Sequence, residues 1–435
     1  MKKNKVNIIL PEKLYFLRAN PNLYGAYGFC SPHGQAEYNL YYRNFIYPFD
    51  ENLDIEMKCE FGTKYINRWS FDGVCDKDSF TMEINVYSAF GELLATKKSI
   101  VYMVSESRKP FGLLCIGDSM TRSGAYITHV AERLQSLNTI GTKCYDGKNF
   151  SEGRGGWRTE YYMDFTNGEH SFSPFLFPKT VSGDKYLGDI KFWNKVILDE
   201  VDDYVCTGLK AVPEYLGLKE FDEKGFPVNF NDGDVVYNDG LHIAENGKWV
   251  SFEDEFDFDF SKYVERYRNY KGMHKIDAVS ILLGTNDLYF VPYAELESKI
   301  AESLSNFEKI IDSVKKYDNN IKIIINMPIL GAGAWDGEAA PPDATVKHQR
   351  FAILSMCDAI IEKWDNEKSI EKGIYISPMM NFLDMVDGFK KGSVKKNKYT
   401  DLTELFFADW IHPSLNGYRQ MGDVLTGVVS YLMNK

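Results

Sequence analysis

Four short apolar runs, Phe111–Gly117, Ala278–Leu283, Ile321–Met327 and Gly373–Ser377, limit what this chain can become. Each ends at turn-forming residues and is largely apolar rather than alternating, the pattern of a strand covered on both faces. The segments between them carry helical periodicity. Ala125–Leu137 places Ile127, Val130, Ala131 and Leu134 on one face, and Tyr293–Tyr317 does the same with Ile300, Leu304, Phe307, Ile310, Ile311 and Val314. Val346–Asn366 and a closing segment to about Met433 also read as helices, and Thr142–Tyr145 as a further strand. Strands alternating with helices make a parallel, doubly wound α/β sheet. Such sheets bind ligands at the carboxyl ends of their strands.

Residues 1–108 have a different texture. Lys5–Leu10, Leu14–Arg18, Glu37–Tyr42, Asp54–Phe61, Tyr65–Phe71, Ser79–Tyr87 and Leu93–Val104 are short runs separated by Gly, Pro, Asn and Asp. Met82-Glu83-Ile84-Asn85-Val86 alternates apolar and polar, as a half-covered strand does, and Phe90-Gly91-Glu92 reads as a hairpin turn. This predicts an N-terminal β-sandwich or jelly-roll domain over 1–108 that braces its neighbour. Ser105–Pro110 is the linker, and 109–435 forms the second domain. At 435 residues the chain exceeds one ordinary core, in keeping with that division. Within the second domain, periodicity is lost over about 165–263, too long for a plain loop, which predicts an inserted subdomain. It is expected to hold a helix at Lys191–Asp199 and a small meander with turns at Asn238-Asp239-Gly240 and Asn246-Gly247. The Phe and Asp alternation from Phe252 to Phe260 fits an edge strand or solvated loop better than a calcium site.

A net charge of -12 excludes nucleic acid and anionic membrane surfaces as expected partners. The seven cysteines include no Cys-x-x-Cys pair, which favours free thiols in a reducing compartment. The apolar stretch before Pro11 is too short for a secretory signal, and no apolar run is long enough to span a bilayer, so a cytoplasmic location is expected.

The turn Gly117-Asp118-Ser119 follows the first buried strand. A serine there stands at the carboxyl edge of the sheet, and the following helix start offers backbone N–H groups to an anion. By itself the tripeptide equally suits a helix cap. Gly156, in the glycine-dense loop Gly153–Thr159, Asn286 in Gly284-Thr285-Asn286-Asp287, and His412 also follow predicted strands, so all four converge on one edge. A serine nucleophile needs a base, and the base an orienting acid. His412 is the candidate base, and Asp409, three residues earlier, is the acid that can curl back to meet the imidazole. The backbone N–H groups of Ser119 and Gly156 and the side-chain amide of Asn286 are candidate oxyanion donors. Each alone has a structural alternative as a cap or turn residue. Together, in this order, they indicate acyl transfer. The remaining histidines, His33, His129, His170, His242, His274 and His348, lack such partners and read as structural or surface residues.

These four motifs resemble those of the SGNH (GDSL-type) hydrolase superfamily over roughly residues 111–435, with Met120 where the namesake pattern has Leu. The resemblance implies a flavodoxin-like sheet, a Ser119-His412-Asp409 triad, a three-donor oxyanion hole and hydrolysis of a carboxylic ester, with no metal or organic cofactor. In architecture, the N-terminal β domain is similar to accessory domains of some bacterial carbohydrate esterases of that superfamily. The expected substrate is an O-acetyl carbohydrate, a small molecule or oligosaccharide ester. A lipid-type esterase (lysophospholipase or thioesterase) and an inactive carbohydrate-binding protein are the alternatives. Trp157 and Arg158, next to Gly156, are expected to line the substrate site. Asp118 is a substrate-site candidate whose position beside Ser119 also suits holding the turn. Tyr161, Tyr162, Trp193 and Trp249 are available either for sugar stacking or for packing the insertion.

Overall fold

The computed structural model describes residues 6–19, 36–50, 52–144, 146–163, 173–179, 256–331 and 346–435, together with 220, 222–224, 226, 228–232, 235–237 and 241–251. The expected helix at Lys191–Asp199, Trp193, His33 and His170 lie outside the described residues.

A parallel sheet forms the centre. Five of its six strands, β1 (Phe111–Gly117), β2 (Leu137–Ile140), β3 (Ala278–Leu282), β4 (Lys322–Asn326) and β5 (Ile374–Ser377), lie in the spatial order β2-β1-β3-β4-β5, and the sixth, the short strand Glu152–Gly153, pairs parallel with the end of β1. β1 pairs with β2 from Phe111↔Leu137 and with β3 from Leu113↔Ala278. That is the flavodoxin-like order, in which β1 and β3 flank the point where the winding reverses and ligands bind. All seven residues of β1 are buried. Helices α1 (Ala125–Arg133), α2 (Leu296–Tyr317), α3 (Val346–Trp364) and α4 (Leu415–Asn434) join the strands to one apolar core. Among the described residues, no helix is long and apolar enough to cross a membrane.

The second strand differs from expectation. It is Leu137–Ile140, whereas Lys143 makes only an isolated bridge to Ser151. The expected helix to Leu137 stops at Arg133, because Leu134 leaves helical geometry at φ -109°, ψ 78°. The chain thus re-enters the sheet several residues earlier.

The N-terminal strands form two larger sheets and a two-stranded one, Asn7–Ile8 with Ile46–Tyr47. Of the larger two, one holds Lys13–Leu17, Leu93–Val104, Ser79–Tyr87 and Asp54–Lys58 in that order; the other holds Tyr38–Tyr41, Arg68–Phe71 and Thr63–Lys64. Lys13–Leu17 pairs parallel with Leu93–Val104, and the other pairs are antiparallel. Phe16 stacks on Tyr38 at 4.0 Å, and the two sheets share an apolar cluster that also takes Phe382 and Val424 from the second half of the chain. The strand Lys13–Leu17 separates two cores, since side chains alternate along it. Leu14 and Phe16 enter the N-terminal cluster, while Tyr15 enters the central one and packs 4.4 Å from Tyr431 of α4. The approach is close enough to require glycine: a Cβ at Gly427 of α4 would stand 1.9 Å from the Tyr15 carbonyl oxygen.

Val235–Tyr237, Leu241–Glu245 and Lys248–Ser251 form a three-stranded meander, with pairing Val235↔Ile243 as the sequence predicts. Asn246 and Gly247 turn it at φ 51° and 70°, the left-handed pair of a tight hairpin. Phe256–Phe258 pairs with Leu176–Pro178. The antiparallel hairpin Lys391–Lys395 with Thr403–Phe407, which the sequence did not suggest, leads directly into Asp409.

Candidate active site

β1 ends at Gly117, and Asp118 caps a one-turn helix, Ser119–Arg122. The Asp118 carboxylate Oδ1 accepts from the Met120 backbone N–H at 3.0 Å. This cap fixes Ser119 as the first helical residue, half-buried at the strand's carboxyl end. On the other side, Asp409 folds its own loop: Oδ1 accepts from the backbone N–H groups of Ile411 at 3.0 Å and His412 at 2.9 Å. Its other oxygen, Oδ2, lies 3.0 Å from His412 Nδ1, and His412 Nε2 lies 2.9 Å from Ser119 Oγ. With Nδ1 donating to the carboxylate, Nε2 is the acceptor for the serine hydroxyl. The side chains of His412 and Asp409 keep 32% and 40% of their surface exposed, so the relay faces an open edge. Burial pushes the Asp409 carboxyl up, but the His412 and Ile411 N–H groups and the imidazole outweigh it and hold the carboxyl below its usual range.

Gly156 is half-buried and turns its loop at φ 74°, a left-handed conformation that favours glycine. Asn286 sits in a second one-turn helix, Thr285–Leu288, directly after β3. Its Nδ2 donates to the Trp157 carbonyl at 3.0 Å. An amide nitrogen carries two hydrogens, so this bond ties the glycine loop to Asn286 and employs one of them. The neighbouring Asp287 is fully buried and holds the same loop more firmly. It accepts from the Thr159 N–H at 3.0 and 3.1 Å, from the Thr159 hydroxyl at 2.5 Å and from the Ser303 hydroxyl of α2 at 3.0 Å. Burial raises its pKa, and those bonds oppose the rise.

The structure brings Ser119, His412 and Asp409 together and joins the Asn286 segment to the Gly156 loop. Other sequence-predicted site residues are placed elsewhere. Asp118 is 0% exposed, and its carboxylate serves the helix cap. Burial pushes it up to about 7, with the Asp287 charge adding and the Met120 N–H opposing. Trp157 is 2% exposed, its ring packed edge-on 4.8 Å from Tyr162; its carbonyl, not its ring, meets a site residue. Tyr161 and Tyr162 are also buried, and the Tyr162 hydroxyl lies 2.9 Å from the Gly117 carbonyl and 2.6 Å from that of Glu152. Arg158 alone of this group stays half-exposed, 3.4 Å from Glu160. Trp249 packs 4.7 Å from Phe230.

Three features escaped the sequence. Asp287 pins the loop to a residue 128 positions away. Glu152 and Arg154 form a buried ion pair at 2.6 Å beneath that loop, with the Tyr263 hydroxyl donating to Glu152 at 2.8 Å. His129 does have an acid, Asp423 at 2.7 Å, which Arg133 also meets at 2.8 Å. That cluster is buried between α1 and α4 and is structural. The adjacency Asn286-Asp287 was the only local signal for any of these.

Residues 113–425 match the GDSL-like Lipase/Acylhydrolase family, and the chain belongs to that family. Its chemistry is accordingly that of a carboxylic ester hydrolase. No curated protein matches the chain. A carbohydrate esterase family 3 structure from Talaromyces cellulolyticus aligns with 74% of this chain and 98% of its own, at 12% identity and a TM-score of 0.33. Two further structures align with 74% and 75% of this chain and 98% and 100% of their own, at 12% and 13% identity and TM-scores of 0.29 and 0.31.

Proposed function

We propose that the protein removes O-acetyl groups from a carbohydrate by a two-step serine mechanism. The observation that carries the proposal is the continuous relay from Ser119 Oγ to His412 Nε2, at 2.9 Å, and from His412 Nδ1 to Asp409 Oδ2, at 3.0 Å. Ser119 Oγ attacks the ester carbonyl while His412 takes its proton, and Asp409 stabilises the imidazolium. The backbone N–H groups of Ser119 and Gly156 and the Asn286 amide receive the negative charge that develops on the carbonyl oxygen. His412 returns the proton to the departing alcohol, then activates the water that releases the acid.

The open setting of the relay supports a small acyl group on a large polar alcohol. A long acyl chain needs an extended apolar groove, whereas a saccharide needs access from solvent. Residues 1–108 act in this reading as a brace: Tyr15 packs against Tyr431 of α4, the helix that begins just after His412.

The test is acetate release from a panel of acetylated oligosaccharides, with p-nitrophenyl esters of increasing chain length alongside. Acetate release by the wild type and its loss in Ser119→Ala, with melting temperature preserved, are expected. Turnover retained by Ser119→Ala would remove the nucleophile assignment. Higher kcat/KM on long acyl chains than on acetate would remove the deacetylase assignment.

A further inference from the structure

Among the described residues, two non-glycine residues hold a positive φ, Asn246 at 51° and Phe290 at 62°. Asn246 occupies a hairpin turn where asparagine is at ease. Phe290 has no such excuse, since a bulky side chain enters the left-handed region only at an energetic cost. Nor does burial of the ring offset that cost, because Phe290 remains 52% exposed. A residue that is both strained and solvent-facing adds little to folding, so its position points to a ligand.

Its surroundings say where that ligand lies. Phe290 follows Asn286 by four residues, in a segment pinned by Asp287 to Thr159 and Ser303. Its ring lies 5.8 Å from that of Tyr289, with planes 34° apart. Tyr289 in turn meets Trp410 edge-on at 6.1 Å, and Trp410 stands between Asp409 and Ile411 in the loop that carries His412. The three rings therefore run from the Asn286 segment to the His412 loop. Tyr293, three residues beyond Phe290, is also exposed and packs 3.9 Å from the His348 ring.

We propose that Phe290 is the platform for the sugar ring of the ester and so determines specificity for the alcohol part of the substrate. The inference rests on the deacetylation proposed above. The apolar C–H face of a pyranose stacks on an aromatic ring, and the pinned, left-handed backbone keeps that ring turned to solvent at the rim of the site.

The experiment compares Phe290→Gly and Phe290→Trp with the wild type on an acetylated oligosaccharide and on p-nitrophenyl acetate, with melting temperature measured in parallel. Glycine adopts φ near 62° without strain, so Phe290→Gly is expected to melt no lower than the wild type. The ratio of its kcat/KM on the oligosaccharide to that on p-nitrophenyl acetate is expected to fall about tenfold, with the loss in KM. Phe290→Trp is expected to restore the ratio. An unchanged ratio in Phe290→Gly, or a marked fall in its melting temperature, overturns the platform while leaving deacetylation standing. A wild type that cleaves p-nitrophenyl acetate but no acetylated saccharide removes deacetylation, and the platform with it.

Discussion

Replacing Asp409 by asparagine separates the two tasks of its carboxylate. Oδ1 accepts from the Ile411 and His412 N–H groups at 3.0 and 2.9 Å, and an amide oxygen in that position accepts the same donors. Oδ2 faces His412 Nδ1 at 3.0 Å, where the amide presents N–H instead. Nδ1 must then accept, and the ring proton moves to Nε2, which no longer accepts from Ser119 Oγ 2.9 Å away. In serine hydrolases a wrong-tautomer substitution of this kind costs about 10⁴ in kcat. Here Asp409 keeps 40% of its side-chain surface exposed, so water replaces part of the carboxylate's effect. A loss of about 10³–10⁴ in kcat is expected, equivalent to about 4–5.5 kcal/mol. Folding stability should change by under about 1 kcal/mol, because the loop keeps both backbone bonds and the lost ion pair is largely solvated. Steady-state hydrolysis of p-nitrophenyl acetate and urea unfolding, on the same preparation, measure the two quantities. Retention of more than about a tenth of wild-type activity by a correctly folded Asp409→Asn would refute the tautomer argument.

Two further outcomes follow from burial. The Asp118 carboxyl is raised from 3.8 to about 7, so the folded state holds its proton more tightly than the unfolded chain does. Its ionisation therefore costs stability that is absent below about pH 4 and complete above about pH 7, up to about 4 kcal/mol at 1.36 kcal/mol per pH unit. Asp118→Asn still offers an oxygen to the Met120 N–H; it should raise the melting temperature at about pH 8 and barely alter it at about pH 4. Equal changes at both would count against this account. Gly427→Ala places a methyl group 1.9 Å from the Tyr15 carbonyl, and the forced separation of α4 from the N-terminal sheet should cost about 1–3 kcal/mol in urea unfolding. Alanine is the better helix former, so a stabilised variant would show that the sheet yields freely.

Within the site, the hydrogen bonds that close over two or three residues are directly legible. The Asp118 cap reaches two positions to Met120, and Asp409 reaches three to His412. Both can be read from the spacing of residue types, because the backbone between them has little freedom. The Asn286 bond to Trp157 spans 129 positions, and the His129 contact with Asp423 spans 294. No periodicity encodes such distances. The burial of the Trp157 ring escaped the sequence for a related reason. A residue next to a site residue in sequence points in a different direction, and the Trp157 ring turns inward against Tyr162.

By itself the sequence determined the parallel α/β sheet, the carboxyl edge at which Ser119, Gly156, Asn286 and His412 gather, and the motifs of the acylhydrolase family. Short buried strands and local caps are set by patterns a few residues long. Only the tertiary structure decided which of those residues touch. It also decided that Lys13–Leu17 walls two cores at once, and that Asp287 ties the glycine loop to the segment after β3. Such pairings depend on how the helices and sheets pack in three dimensions, which the composition of each segment leaves open.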